Sequence, residues 1–230
     1  MDAAVPARVR EYADQVVTYV QRALGVRLEY DSDTLPLLDH YLRTVPELSA
    51  GQPATLKLVL ATSGAYFGEV VRRRLGGRWE ASGADEPQNG ESERSISRRD
   101  ARKIRSEQQV GEAEHPVDGE VEIANWRVIL PTGLNFSPVG FVAAAIAQAD
   151  LDDLDSELDA PPRMRPYVQQ ALQRMGEVSL EDYYSLCGRL DTLEHVHEIL
   201  VAVAAQMMGS AADDDDIPEL ASDVPSGQVN

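Results

Sequence analysis

The stretch from Ser63 to Trp79 reads SGAYFGEVVRRRLGGRW. It sets a carboxylate, Glu69, one helical turn ahead of Arg72 and Arg73. Tyr66 lies one turn before it, and Trp79 lies just beyond. An arginine guanidinium is a planar fork of donors that suits carboxylate or phosphate oxygens. Small neighbours would let a ligand come close to the helix backbone. One reading is therefore an anion- or carboxylate-binding site built from Tyr66, Glu69, Arg72, Arg73 and Trp79. Asn135, in PTGLNFSP, adds an amide that could bond a substrate. The plainer reading is structural. A charged pair at i,i+4 on a helix surface contributes about 0.2–0.5 kcal/mol, and arginines near a helix C-terminus suit its dipole. Arg74 falls on the apolar side and is expected to cap the helix end or to pair across an interface.

The same stretch resembles a pattern of uncharacterised bacterial proteins, GAYxGEVxRRxLGGxW, carried here by residues 64–79. The resemblance covers residues 55 to 80 and, more loosely, the segment 121 to 149. It implies no known activity. It does imply that Tyr66, Gly68, Glu69 and Trp79 act together. The long charged insertion after Trp79 departs from the compact arrangement that the resemblance implies.

Other residue groups point to less. In EHVHE, His195 and His197 are two apart and diverge by about 160° on a helix. Zinc-binding helices use histidines at i and i+4, so no metal is expected here. The acidic run 150–159 lacks the glycine and glutamate that a calcium loop needs at its sixth and twelfth positions. Its leucines repeat at helical spacing instead. Cys187 is the sole cysteine, so it forms no internal disulfide and reads as a small buried apolar residue. There is no glycine-rich phosphate loop and no Gly-x-Ser-x-Gly elbow. No cofactor is expected.

The elements that would position these residues follow from hydrophobic period. Val9, Tyr12, Ala13, Val16, Val20 and Leu24 mark a first helix, with Pro6 in its first turn and Gly25 past its end. VRLEY, 26–30, alternates as a short strand. Leu35, Leu38, Leu42 and Val45 mark a second helix, stopped by Pro46. A third helix runs from Ala54 to Leu75, with Ala61, Gly64, Ala65 and Gly68 as a stripe of small residues. Glycine inside a helix costs about 1 kcal/mol against alanine, so the stripe predicts a neighbour packed close to the backbone. Further strands are expected at 78–82 and 121–130, with PTGLNFSP a loop. Ser137 caps a very apolar helix over 138–149, which the acidic run continues. A helix within RMRPYVQQALQRMG follows. Ser179 and Asp182 then resemble a capping box that opens one long helix ending at Gly209.

Together these predict a mainly helical α+β fold with a small antiparallel sheet of about three strands, built by 1–82 and 119–208 as one domain. Residues 83–118 carry both charge signs and few apolar side chains, so they read as a disordered insertion. The acidic tail 209–230 reads the same way. The insertion's arginines have no aromatics among them on which bases could stack.

The net charge is −18. Such a field repels phosphate backbones and anionic lipid, which argues against a nucleic-acid binder and favours a basic protein partner. The N-terminus shows no signal peptide, and no apolar run reaches the ~20 residues of a membrane span. The expectation is a cytoplasmic, non-catalytic interaction module of adaptor or immunity type. The alternative is a small-ligand enzyme or sensor with a pocket of Tyr66, Glu69, Arg72 and Asn135.

Overall fold

A computed structural model describes residues 5–81, 125–150 and 157–213. The expected insertion at 83–118 lies outside the described residues, as do 121–124 of the expected strand, 151–156 of the acidic run and 214–230 of the tail.

The chain opens with α1 (Ala7–Leu24), closed by Gly25 in the left-handed conformation. Pro6 is its N-cap and not part of its first turn, one residue earlier than expected. A 3₁₀ turn (Ser32–Thr34) leads into α2 (Leu35–Leu48). Pro46 does not stop this helix but sits inside its last turn. A proline there removes a single hydrogen bond close to the helix end, where its cost is least. Helix α3 (Pro53–Leu75) follows and ends at Gly76, whose N–H donates to the Arg72 carbonyl.

Three strands make one antiparallel sheet in the order β1 (Arg78–Ala81), β2 (Trp126–Ile129) and β3 (Asn135–Phe136). The fold is thus mainly helical α+β with a three-stranded antiparallel sheet, as the sequence predicted. The strand at 26–30 is not formed. Its backbone donors go to side chains: the Glu29 N–H to Thr34 Oγ1 and the Tyr30 N–H to Tyr66 Oη. Tyr30 also has φ 61°, which ends any extended run. The third strand comes instead from PTGLNFSP. There Gly133, at φ 84°, turns the chain, and the Leu130 N–H donates to the Leu134 carbonyl.

Beyond the sheet lie α4 (Pro138–Ala147), α5 (Arg165–Arg174), α6 (Leu180–Tyr184) and α7 (Leu186–Asp213). Ser137 caps α4 by accepting from the Gly140 N–H. Gln148 turns left-handed and ends it. The acidic run does not continue that helix at its far end, because Asp159 makes a backbone bridge to Asn135. The long C-terminal helix is broken in two. Ser185 is extended between α6 and α7, and its hydroxyl accepts from the Gly188 N–H. Helix α7 then continues past Gly209 to Asp213.

One cluster of buried side chains draws on the sheet and on every helix except α6. Helix α3 is its axis, since every residue from Ala61 to Val71 is buried. Phe67 of α3, Phe136 of β3 and Phe141 of α4 meet with ring centres 5.0–6.2 Å apart. Offset or edge-on aromatic contacts of this kind add to burial itself.

Asp39 on α2 holds the start of α7. Its buried carboxylate accepts from the Leu186 N–H at 2.7 Å and the Cys187 N–H at 3.1 Å. These are donors that a helix start leaves without intrahelical partners, and a negative charge there also favours the helix dipole. D39A is expected to cost about 1–3 kcal/mol, because both N–H groups lose their acceptor at a buried site. Urea denaturation checks this, and D39N should retain part of the stability.

Candidate functional site

Glu69 is not a surface residue. Its side chain is 4% exposed, because the helix face that carries it is covered by Trp79 from β1. Arg72 grips it as a fork, with Nε donating to Oε1 at 2.8 Å and Nη2 to Oε2 at 3.2 Å. The Trp79 indole N–H donates to the same Oε1 at 2.6 Å. Arg73 Nε stands 3.6 Å from Oε2. Trp79 reaches the carboxylate through a notch at Gly68, where a Cβ would collide with the indole ring.

Tyr66 is fully buried one turn earlier. Its hydroxyl accepts from the Tyr30 N–H and shares a hydrogen bond with Thr34 Oγ1, both at 2.9 Å. Burial raises the pKa of this phenol, and the hydrogen bonds from Thr34 and Tyr30 pull it partly back. The Tyr30 ring lies 4.8 Å from that of Tyr66, and the Arg73 guanidinium sits 4.2 Å over it. Tyr30 in turn donates to Asp14 at 2.6 Å. Its phenol pKa is raised by burial first and by Asp14 second. The left-handed backbone of Tyr30, costly for a bulky residue, is thus held by bonds at both ends of the residue.

Tyr66, Glu69, Arg72, Arg73 and Trp79 therefore form one polar seam along α3. Asn135 does not join it. Trp79 is registered with Val128, and Val128 with Phe136. Neighbouring strand residues point to opposite faces, so Asn135 lies on the face away from Trp79. There its amide oxygen accepts from Arg127 Nε at 2.7 Å. The sequence matches no protein-family model, and neither a curated protein nor a solved structure matches it. The seam must be read from its own chemistry. Both oxygens of Glu69 already accept from half-buried donors, Arg72 and Trp79.

Arg74 pairs with Glu194 and so joins α3 to α7, the second of the two roles expected for it. His195 and His197 part company. His197 Nδ1 lies 3.1 Å from Thr132 Oγ1, whereas His195 Nε2 is buried without a hydrogen-bond partner. Among the described residues, no group of three or more His, Cys, Asp or Glu side chains could hold a metal ion. No helix among them is long and apolar enough to cross a membrane. The Cys187 thiol is pushed up to about 12 by burial, then by its hydrogen bond to Asp39 and by that residue's charge. A thiol so protonated is a poor nucleophile.

His197 gives the protein a pH dependence. Burial lowers its pKa below the ordinary 6.5, and Glu198 offsets part of this. Between the folded pKa and 6.5 the unfolded chain binds more protons, so stability rises with pH there. The contribution is fully present above 6.5 and is lost as the pH falls through the folded value. H197N, which keeps an acceptor near Thr132, should flatten the acid side of a plot of Tm against pH.

Sequence reasoning missed two buried charged residues. Asp39 caps a helix 147 residues away. Arg189 lies against the rings of Phe141, Tyr183 and Tyr184, 3.7 Å from Asp150. Its position on a leucine-rich helix gave one signal, a lone arginine among apolar residues.

Proposed function

We propose that the protein is a non-catalytic, cytoplasmic interaction module that uses an acidic surface to bind a basic protein partner, in the manner of an adaptor or immunity protein. The observation that carries this reading is the fate of the motif's charges. Glu69 is paired within the fold with Arg72, and Arg73 stands beside it, which supports an architectural role for the motif. The chain carries 39 acidic against 21 basic residues, an excess that this reading assigns to the partner. Such a surface accelerates encounters with cations and suppresses those with other anions. Affinity capture from the native host at increasing salt tests the reading. Basic proteins should be retained at low ionic strength and released as salt screens the attraction. Retention of chaperones alone, insensitive to salt, would overturn it.

A further inference from the structure

We propose that the surface of Val178, Leu180 and Tyr183, at the start of α6, docks an amphipathic basic segment of the partner. This rests on the reading of the protein as an acidic interaction module and gives that module a place. Seven large apolar side chains are exposed among the described residues, and four of them fall between Leu172 and Tyr183. Apolar residues exposed singly are ordinary, but a cluster marks an interaction site.

Part of the cluster has a local cause. Val178 and Tyr183 occupy the N′ and N4 positions about the cap Ser179, which are those of a hydrophobic staple. Leu180 lies outside that pair and is 75% exposed. Tyr183 is not free to fold away, since the Arg189 guanidinium holds its ring at 4.6 Å. The apolar surface is therefore formed before any partner arrives, which lowers the ordering cost of binding.

The charges around it select the occupant. Glu177, Glu181 and Asp182 flank the three apolar residues. A second copy of the chain would set these carboxylates against their own kind, and like charges in contact oppose docking. A segment with leucine-like residues on one face and lysine or arginine beside them meets both features. The surface already receives such a cation: Arg43 of α2 pairs with Glu181 at 2.8 Å, with both side chains more than half exposed.

The test uses the full chain and a labelled synthetic helix of leucine and lysine, read by fluorescence anisotropy. L180D removes the apolar contact while adding negative charge, and aspartate suits a first helical turn. V201D makes the same change at another exposed site, on α7. Wild type and V201D should bind alike, with L180D weaker by about tenfold. A peptide of equal composition but scrambled order should bind all three proteins weakly and equally. If L180D binds as tightly as wild type or tighter, charge alone drives binding and the docking surface is refuted, while the acidic module stands. If wild type binds neither peptide at low salt, the module reading falls and the docking surface with it.

Discussion

E69A is expected to lower stability by about 3–5 kcal/mol, the usual cost of breaking a buried ion pair from one side. The physical reason is what stays behind. Arg72 loses both bonds of its fork, and the Trp79 indole N–H loses its acceptor. Arg73 loses the carboxylate 3.6 Å away. With total stability typically about 5–15 kcal/mol, this single change removes a large share of the margin. E69Q keeps an acceptor for the indole but loses the charge, so it should fall between. Urea unfolding followed by tryptophan fluorescence measures both, and a W126F background leaves Trp79 as the sole reporter. A double mutant, E69A with R72A, should cost less than the two single changes summed, because neighbours in one network are not additive. Equal urea midpoints for E69A and wild type would show that the seam contributes nothing.

G68A should also destabilise, by about 1–3 kcal/mol, against the ordinary trend. Glycine to alanine inside a helix normally gains about 1 kcal/mol. Here the added methyl meets the Trp79 ring, and Pro138 Cγ lies at 3.0 Å. The ring cannot swing aside cheaply, because Glu69 holds its N–H. G64A meets Val139 in the same way, with Cγ2 at 2.8 Å and the backbone Cα at 3.0 Å, so α4 itself would have to move. The decisive comparison is G68A in a W79V background. With the ring gone, only Pro138 Cγ still crowds the methyl, so the remaining cost should shrink. A G68A protein as stable as wild type would mean that α3, β1 and α4 are not closely seated.

The helices were legible because their apolar residues repeat. Val9 to Leu24 and Leu35 to Val45 needed no other information, and Gly76 closed α3 where its place just past the last apolar residue predicted. The stripe of small residues also carried its message, since Gly64 and Gly68 face Val139 and Trp79. What failed was anything decided by a distant partner. The plainer reading put Glu69 in a surface charge pair, and nothing local announced that Trp79 would cover it. VRLEY alternates like a strand, yet its backbone donors go to Thr34 Oγ1 and to the Tyr66 hydroxyl, the latter 36 residues on. The hairpin at 130–136 did leave a trace. Leu134 and Phe136 are buried and Asn135 is not, a period of two after a Pro-Thr-Gly turn. The run was too short to outweigh its turn-forming residues. Of the six candidate site residues, five lie together along α3 and β1; Asn135 lies on the other face of the sheet.

The pairing of Ala81 with Trp126 has a consequence for how this chain can change. The polypeptide leaves the sheet and re-enters it at adjoining points, so Ala81 and Trp126 stand side by side. Closing a longer loop between fixed ends costs only about 0.6 kcal/mol for each doubling. Strand register therefore sets no requirement on the length or composition of whatever joins Ala81 to Trp126. A sequence grafted into that connection would start and finish at ends that the β1–β2 pairing already holds in register.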